Sequence, residues 1–316
     1  MEGPYPTKDI IEAAAARIAP FVHRTPVMTS SSINSMTGME VFMKCENFQK
    51  IGAFKYRGAT NAVLTLSADE KKNGVATHSS GNHAQALALA AKINKLKAYI
   101  VMPENSSSVK INAVKGYGAE VITCAPNQDA RESTLAEVMR KTGATLVHPY
   151  NNYSIIAGQA TAAKELIEEV KNLDIVMAPV GGGGLLSGTA LSTHYFSPKY
   201  IVIAGEPANA DDAYRSLQKG EMLPSVSPNT IADGLLTSLG DKTFDIIRKH
   251  VKEIIPVTEE EIIAAMRLVW ERMKIIIEPS SAVPVAAAIK HKEQFKGKRI
   301  GIIISGGNVD LNKLPF

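Results

Sequence analysis

Pro179-Val-Gly-Gly-Gly-Gly-Leu-Leu-Ser-Gly188 is the segment of this sequence that most restricts its fold. It follows a continuous apolar run, Ile175 to Val180, and leads into a segment of small and apolar residues. Glycines let backbone N–H groups close on an anion, and the N-terminus of a following helix adds partial positive charge. A dinucleotide fingerprint would need a final glycine where the sequence has Leu186 or Ser187. We therefore predict a phosphate cradle between a strand and a helix, with tight strand–helix packing as the alternative explanation.

Short apolar runs alternate with helical patterns along the rest of the chain. Several runs are continuous in Val and Ile, as in strands that are buried on both faces of a parallel sheet. The predicted strands are Val75 to His78, Ala98 to Met102, Glu120 to Cys124, Thr145 to His148, Ile175 to Val180, Tyr200 to Ala204 and Arg299 to Ile304. Two capping boxes, Ser67 to Glu70 and Thr258 to Glu261, predict helix starts. The sequence thus predicts an α/β protein with open, doubly wound parallel sheets.

The composition is that of an ordinary globular protein. The 316 residues include 35 Lys plus Arg and 31 Asp plus Glu, a net charge of +4 with neutral histidines. So small a charge, without a dense basic block, disfavours nucleic-acid and membrane-surface partners. No charged residue lies between Asp174 and Lys199, but Pro179 and the glycine run make this segment a poor membrane helix. Two cysteines and a polar N-terminus without a signal-peptide core predict a cytoplasmic protein.

Two further loops of small residues follow predicted strands. His78-Ser-Ser-Gly-Asn-His83 precedes an alanine-rich helical pattern, and its hydroxyl, amide and N–H groups suit a carboxylate or a ring hydroxyl. Helix capping alone would explain one of these residues. Ser305-Gly-Gly-Asn-Val309 follows the last predicted strand, although Gly-Gly by itself is a common turn. Ligands in doubly wound folds bind at the carboxyl ends of the strands, so the three loops predict one shared site.

One lysine has an unusually apolar setting. In Asn47-Phe-Gln-Lys-Ile-Gly-Ala-Phe-Lys-Tyr-Arg-Gly58, Lys55 is flanked by Phe54 and Tyr56. Desolvation there would lower its pKa and favour Schiff-base chemistry. Spacing alone does not distinguish Lys55 from the neighbouring Lys50 and Arg57, because most lysines are solvated surface residues.

Together, the segments around Lys55, Ser80, Gly181 to Gly184 and Ser305 resemble those of the fold-type II pyridoxal-phosphate enzymes, in the serine racemase and serine/threonine dehydratase group. The resemblance extends from about residue 20 to about residue 310. It implies a tryptophan synthase β-like architecture with two domains, each built on an open, doubly wound parallel sheet. Residues 1–69 and 149–316 would form a discontinuous large domain that binds pyridoxal phosphate, and residues 70–148 a small inserted domain.

The resemblance also implies a role for each loop. Lys55 would hold the cofactor as an internal aldimine, and Gly181 to Gly184 would hold its phosphate. Phe54 would stack near the ring, Asn82 would bond the ring hydroxyl, and Ser305 would meet the pyridine nitrogen. The substrate would lie against the loop of Ser79, Ser80, Gly81, Asn82 and His83. Lys55 and Ser80 would be the catalytic residues, acting on opposite faces of the substrate.

The implied activity is interconversion of L- and D-serine, with β-elimination of serine to pyruvate and ammonia. A serine/threonine dehydratase or a threo-3-hydroxyaspartate ammonia-lyase would share every cofactor residue. A β-replacement enzyme related to cysteine synthases, and a silent cofactor- or nucleotide-binding regulator, are further alternatives. The sequence departs from the pattern of animal racemases at Tyr150, where they have an asparagine beside the cofactor, and at Ser280-Ser281.

Gly205-Glu-Pro-Ala-Asn-Ala-Asp-Asp212 resembles the divalent-cation site of the group. The implied ligands are Glu206, the carbonyl of Ala210 and Asp212, and such hard oxygens suit Mg²⁺, Ca²⁺ or Mn²⁺. An acidic solvated turn is the alternative explanation. The resemblance further implies a homodimer with ATP as an allosteric effector at its interface, and the matching positions are Gln85, Tyr117, Lys274 and Asn308.

Overall fold

The structure, a computed structural model, describes residues 5–106 and 108–316. Its strands are β1 (Val27–Met28), β2 (Glu40–Cys45), β3 (Val75–His78), β4 (Ala98–Pro103), β5 (Glu120–Cys124), β6 (Thr145–Leu146), β7 (Ile175–Pro179), β8 (Ile201–Pro207), β9 (Glu253–Val257) and β10 (Arg299–Ile304). Its α-helices are α1 (Lys8–Ile18), α2 (Ser31–Thr37), α3 (Lys55–Thr65), α4 (Ala68–Lys71), α5 (Asn82–Ile93), α6 (Ser108–Gly116), α7 (Gln128–Thr142), α8 (Tyr153–Glu169), α9 (Gly184–Phe196), α10 (Asp212–Lys219), α11 (Asp241–His250), α12 (Glu259–Met273), α13 (Pro279–Lys290) and α14 (Lys292–Phe295). Short 3₁₀ turns span Glu46–Phe48, Lys50–Gly52, Ala208–Ala210 and Asp233–Leu235.

Two sheets organise these elements. The larger has the strand order β1-β2-β10-β7-β8-β9, and its strands are parallel except for β1, which pairs antiparallel with β2. The smaller has the order β5-β4-β3-β6 and is parallel throughout. Strands between residues 75 and 146 therefore form a sheet of their own, while the larger sheet takes strands from both sides of that segment. The predicted α/β fold with two open parallel sheets is confirmed, and the domain limits at residues 69/70 and 148/149 stay predictions.

The strands that sequence reasoning missed are β1, β2 and β9. In β2 the charge of Lys44 interrupts the apolar pattern, yet this side chain is buried and its ammonium lies 2.6 Å from a carboxylate oxygen of Glu165. In β9 the apolar pattern is interrupted by Pro256. This proline is tolerated because β9 is an edge strand, which forms backbone hydrogen bonds with β8 only. Predicted and observed bounds agree for β3, β5 and β10, whereas β6 ends two residues earlier than predicted.

The helix signals in the sequence have the expected structural counterparts. Both predicted capping boxes are formed, at the starts of α4 and α12. The stripe of Ile262, Met266, Val269 and Met273 on α12 is buried. The uncharged segment before Lys199 forms β7, the glycine loop and α9, as predicted. Within the described ranges, no helix combines the length and the apolar character that crossing a membrane requires.

Helix α3 lies at the junction of the two sheets. Its Tyr56 and Val63 pack in one apolar core with Val75 of the smaller sheet. On another face Gly58 allows close approach to α8, where a Cβ on Gly158 would lie only 2.8 Å from the Gly58 Cα. Because α3 contacts elements on both sides, its first residue is held at the border between the sheets.

Candidate active site

A cavity of about 620 Å³ opens at the carboxyl ends of β3, β7 and β10. This is where doubly wound folds bind their ligands. The three loops that the sequence predicts to share a site all line it. The predicted cofactor and substrate residues at its wall are Phe54, Lys55, Ser79, Ser80, Gly81, Asn82, His83, Gly181, Gly182, Gly183, Gly184 and Ser305. The structure thus brings this predicted set together, while the role of each residue stays a prediction.

Lys55 is the first residue of α3 and points into this cavity. Its Nζ donates a hydrogen bond to the carbonyl of Pro149 at 2.9 Å and lies 5.3 Å from the ring centroid of Phe54. Burial lowers the pKa of this ammonium to about 8, and the negative charge of Glu278 opposes the shift. A larger fraction of unprotonated, nucleophilic amine is therefore present near neutral pH than on an ordinary lysine.

A buried ion network holds α3 and removes Arg57 from the candidates. The guanidinium of Arg57 is fully buried and lies 2.7 Å from carboxylate oxygens of both Glu46 and Glu165. Breaking one partner of such a network leaves an uncompensated buried charge, which is strongly unfavourable. Lys50 does not line the cavity, and its Nζ lies 5.8 Å from the ring centroid of Tyr56. Tertiary structure therefore separates Lys55 from the two neighbours that the sequence left open.

The loop from Gly181 to Gly184 is closely packed on all sides. A Cβ on Gly181 would lie 2.8 Å from the Leu235 Cα, and one on Gly182 would lie 2.4 Å from the ring of Tyr150. Gly183 has φ +84°, a left-handed conformation that favours glycine, and α9 begins directly after it. Backbone N–H groups at a helix N-terminus, without side chains in front of them, fit a phosphate. This cradle fits the phosphate of the predicted cofactor.

The loop from Ser79 to His83 is more open. Helix α5 starts at Asn82 without a side-chain cap, and the Ser79 hydroxyl instead accepts the N–H of Gly81 at 3.3 Å. Helix capping therefore does not explain Ser80, whose hydroxyl has no hydrogen-bond partner within residues 5–106 and 108–316. The buried His83 ring contacts the Val147 carbonyl through Nε2 at 3.0 Å, and burial lowers its pKa to about 3, so it is neutral.

Sequence reasoning missed several residues at the cavity wall. Glu278 is buried, and burial raises the pKa of its carboxyl to about 7. Ser281 does not line the cavity itself, but it is buried and places its hydroxyl 3.0 Å from that of Ser305, which does. His148 accepts the N–H of Asn151 at Nδ1, 2.9 Å away, and burial lowers its pKa to about 4. No short spacing identifies Glu278 or Ser281, because their side-chain partners are far away in the chain, whereas the partner of His148 is only three residues away.

Arg131 is a further missed residue at the cavity wall. It forms no ion pair with any carboxylate in the described part of the chain, and its Nε is buried without a hydrogen-bond partner. Burying a guanidinium N–H without an acceptor is unfavourable. An anionic group on a bound molecule would supply the missing acceptor.

The predicted metal ligands are buried rather than solvated. Glu206 and Asp212 are at most 1% exposed, and Ala210 is 3% exposed. The carboxylate of Glu206 accepts the N–H groups of Ala213 and Tyr214 at 2.9 and 2.7 Å. Burial raises the pKa of Glu206 and raises that of Asp212 to about 6. Among the described residues, no group of three or more His, Cys, Asp or Glu side chains could hold a metal ion. Two buried carboxylates that form no ion pair within residues 5–106 and 108–316 fit a cation that also takes carbonyl and water oxygens.

The predicted ATP residues do not converge in one chain. Gln85 and Asn308 line the cavity. Tyr117 packs instead against the apolar core of the smaller sheet, and Lys274 follows α12 in a left-handed conformation with φ +60°. Neither of the latter two lines the cavity. The ATP site stays a prediction.

Comparison with known proteins assigns the chain to a family. A family model described as "Pyridoxal-phosphate dependent enzyme" matches residues 18–306. The chain is 52% identical to a serine racemase from Dictyostelium discoideum, over 97% of this chain and 96% of that protein. It is 49% identical to a β-hydroxyaspartate dehydratase from Paracoccus denitrificans, over 98% and 99%. The crystal structure of the Dictyostelium serine racemase superposes with a TM-score of 0.92, covering 96% of this chain and 99% of that one. With its lysine, glycine cradle and two parallel sheets, the chain belongs to the family of pyridoxal-phosphate dependent enzymes.

Proposed function

We propose that this protein is a serine racemase that also dehydrates serine to pyruvate and ammonia. The observation that carries the proposal is that one cavity contains the Lys55 amine, at the start of α3, and the Ser80 hydroxyl, in the loop after β3, which has no hydrogen-bond partner among the described residues. Relatives named serine racemase, similar over nearly the whole chain, support the same activity. Pyridoxal phosphate, when bound, supplies the electron sink that stabilises negative charge at the substrate α-carbon.

Two groups of the chain move the α-proton in this proposal. The Lys55 amine, with its lowered pKa, removes the proton from one face. The Ser80 hydroxyl delivers a proton to the opposite face and so inverts the centre. A serine hydroxyl is a poor acid by itself. It therefore needs a neighbouring acidic group that replaces the proton it gives up. Loss of the β-hydroxyl of the substrate in place of reprotonation leads to pyruvate and ammonia.

The test is incubation of the purified protein with L-serine, followed by chiral amino-acid analysis and assay of pyruvate. Formation of D-serine together with pyruvate is the expected result. Pyruvate without D-serine would replace the proposal with a dehydratase. Transfer of an added thiol to the β-carbon would indicate β-replacement, and no turnover at all would indicate a silent cofactor-binding protein.

A second candidate function is threo-3-hydroxyaspartate ammonia-lyase, and Arg131 is the observation that favours it. The guanidinium of Arg131, which pairs with no carboxylate among the described residues, suits a substrate with a second carboxylate, because Arg binds carboxylates bidentately. The similarity to a β-hydroxyaspartate dehydratase supports this candidate as well. If it is correct, threo-3-hydroxyaspartate is consumed faster than L-serine, and Arg131→Ala reverses that preference. An unchanged preference in Arg131→Ala excludes this role of the arginine.

We also propose a divalent cation, Mg²⁺ or in its place Ca²⁺ or Mn²⁺, held by Glu206, Asp212 and the carbonyl of Ala210. Both carboxylates are buried and form no ion pair in the part of the chain that the structure describes, which supports the proposal because a bound cation compensates their charge. A site at the start of α10 is structural, since neither carboxylate lines the active-site cavity.

A cytoplasmic homodimer with ATP as an allosteric effector completes the proposal. Gln85 and Asn308 lie at the cavity wall, where a nucleotide bound nearby would influence the active site. Phe48, Ile276 and Phe316 are each more than 40% exposed, and large exposed apolar side chains are common at subunit interfaces. Both cysteines are free, as expected in a reducing compartment. Size-exclusion chromatography with light scattering, with and without ATP, tests the dimer and the effector.

A further inference from the structure

Glu278 is a buried carboxylate that connects two loops of the active site. It precedes α13 and is 3% exposed. Its Oε1 and Oε2 lie 3.0 and 3.1 Å from Nδ2 of Asn82, at the start of α5. Its Oε2 also accepts the N–H of Asn308 at 3.1 Å. One side chain therefore holds a residue from the loop after β3 and a residue from the loop after β10.

The surroundings fix the orientation of these groups. A Cβ on Gly306 would lie 2.8 Å from the Glu278 Oε1, so this glycine leaves room for the carboxylate in its observed position. Nδ2 of Asn308 donates to Oδ1 of Asn82 at 2.8 Å. A carboxylate only accepts hydrogen bonds, so Asn82 must direct its nitrogen toward Glu278 and its oxygen toward Asn308. The carboxamide of Asn82, a predicted cofactor ligand, is thus held in one of its two flipped states.

Glu278 has no directly bonded cation within the described ranges of the chain. The charged groups that face it are Asp233, which disfavours its ionisation, and Lys110, which favours it and pairs with Asp233 at 2.5 Å. Lys55 also faces it, but the Nζ of that lysine bonds to the Pro149 carbonyl. Burial raises the pKa of Glu278 to about 7, so the carboxyl ionises near neutral pH.

The titratable groups that face Lys55 are Glu278, His83 and His148. The two histidines are neutral at neutral pH because burial lowers their pKa to about 3 and about 4. Glu278 lines the same cavity as Lys55, and its negative charge favours the ammonium form of this lysine. The balance between amine and ammonium at Lys55 therefore depends on the charge of this carboxylate.

We propose that Glu278 is a positioning residue of the active site with two separable actions. It orients the carboxamide of Asn82, and its negative charge opposes the loss of the Lys55 proton. The inference rests on the proposed role of Lys55 as the lysine that binds pyridoxal phosphate.

Two substitutions separate the actions. Glu278→Gln keeps the size of the side chain and removes the charge, whereas Glu278→Asp keeps the charge and withdraws it from Asn82 by one methylene. The full chain, stripped of cofactor, is titrated with pyridoxal phosphate from about pH 6 to about pH 10, on both sides of the Lys55 pKa of about 8. Absorption of the bound cofactor reports the affinity, and its pH dependence reports the titration of the lysine.

In Glu278→Gln the midpoint of this pH dependence should move to lower pH by about half to one unit, the scale of a charge interaction in a partly solvated interior. In Glu278→Asp the midpoint should stay in place while the affinity falls about tenfold, the loss expected for one hydrogen bond to a charged group. The control is Glu271→Gln, an exposed carboxylate paired with Arg267, which should change neither quantity.

An unmoved midpoint in Glu278→Gln overturns the charge action, and an unchanged affinity in Glu278→Asp overturns the orienting action. If Glu278 only supports the fold, both variants should lose stability, and the midpoint should not move consistently to lower pH. Thermal melts therefore accompany each titration.

Lys55→Ala separates failure of the proposed function from failure of the proposed role of Glu278. If Lys55→Ala keeps the absorption band of bound cofactor, the proposed function has the wrong lysine; if it loses the band while both Glu278 variants behave as the parent, only the present inference fails.

Discussion

Two loops that line the cavity, Ser79 to His83 and Gly181 to Gly184, differ in how they are packed. A Cβ on any of Gly181 to Gly184 would come within 2.4 to 2.8 Å of neighbouring atoms, and all four residues are buried. In the loop of Ser79 to His83, a Cβ on Gly81 would meet nothing within 4 Å, and Ser80 is partly exposed. Close packing fixes the loop that fits the cofactor phosphate, whereas the loop proposed for the substrate keeps space for a bound molecule.

The largest expected effect is that of Lys55→Ala, at the start of α3. The variant should lose the visible absorption band of bound pyridoxal phosphate and both proposed reactions, because it removes the cavity amine that the proposal assigns to the cofactor. In the parent, cofactor uptake by the stripped protein should accelerate as the pH rises through about 8, where the ammonium loses its proton. Lys50→Ala, outside the cavity, is the control and should keep the band. A band retained in Lys55→Ala would assign the cofactor to another residue.

Ser80→Ala addresses the open loop. It should lower racemisation by roughly 10²–10⁴, the contribution of a general acid or base, while dehydration of L-serine persists in part. Cofactor absorption should not change, since the Ser80 hydroxyl makes no hydrogen bond to the described chain. The measurement is the initial rate of pyruvate formation from D-serine and from L-serine. Equal losses of dehydration for the two enantiomers would contradict the assignment of Ser80 to one face only.

A matched pair of glycine substitutions tests the difference in packing itself. Gly182→Ala should destabilise the protein by about 1–3 kcal/mol, because its Cβ would meet the Tyr150 ring at 2.4 Å. Gly81→Ala has open space and should cost about 1 kcal/mol or less, the scale of replacing glycine at a helix N-cap. Thermal melts give the stabilities, and titration with pyridoxal phosphate gives the affinities. If both variants lose the same stability, the contrast between the loops is not one of packing.

The smallest expected effect concerns the proposed cation, which lies away from both loops. EDTA should lower the melting temperature by on the order of 5 °C, because a ligand that binds only the folded chain stabilises it, and added Mg²⁺ should restore it. Glu206→Gln should abolish the response to chelator, since it removes one of the two buried carboxylates. A parent protein that melts at the same temperature with and without EDTA has no structural cation.

Much of the site was predictable because its signals are local. The glycine run, the Ser79 to His83 loop and the Ser305 loop each follow a strand that the apolar pattern identifies, and the doubly wound fold places the ends of parallel strands at one edge. Glu278 was not predictable in this way. Its partners, Asn82 and Asn308, are 196 and 30 residues away, and no spacing connects them.

Local sequence is sufficient for the α/β alternation, the helix caps and the phosphate cradle, because backbone geometry and neighbouring residues control each of them. Tertiary structure is needed for the choice of Lys55 over Lys50 and Arg57, since only the fold buries one amine in the cavity and neutralises Arg57 with Glu46 and Glu165. It is also needed for the strands that contain Lys44 or Pro256. A charge is tolerated in a buried strand only when a partner from elsewhere compensates it, and a proline is tolerated only at a sheet edge.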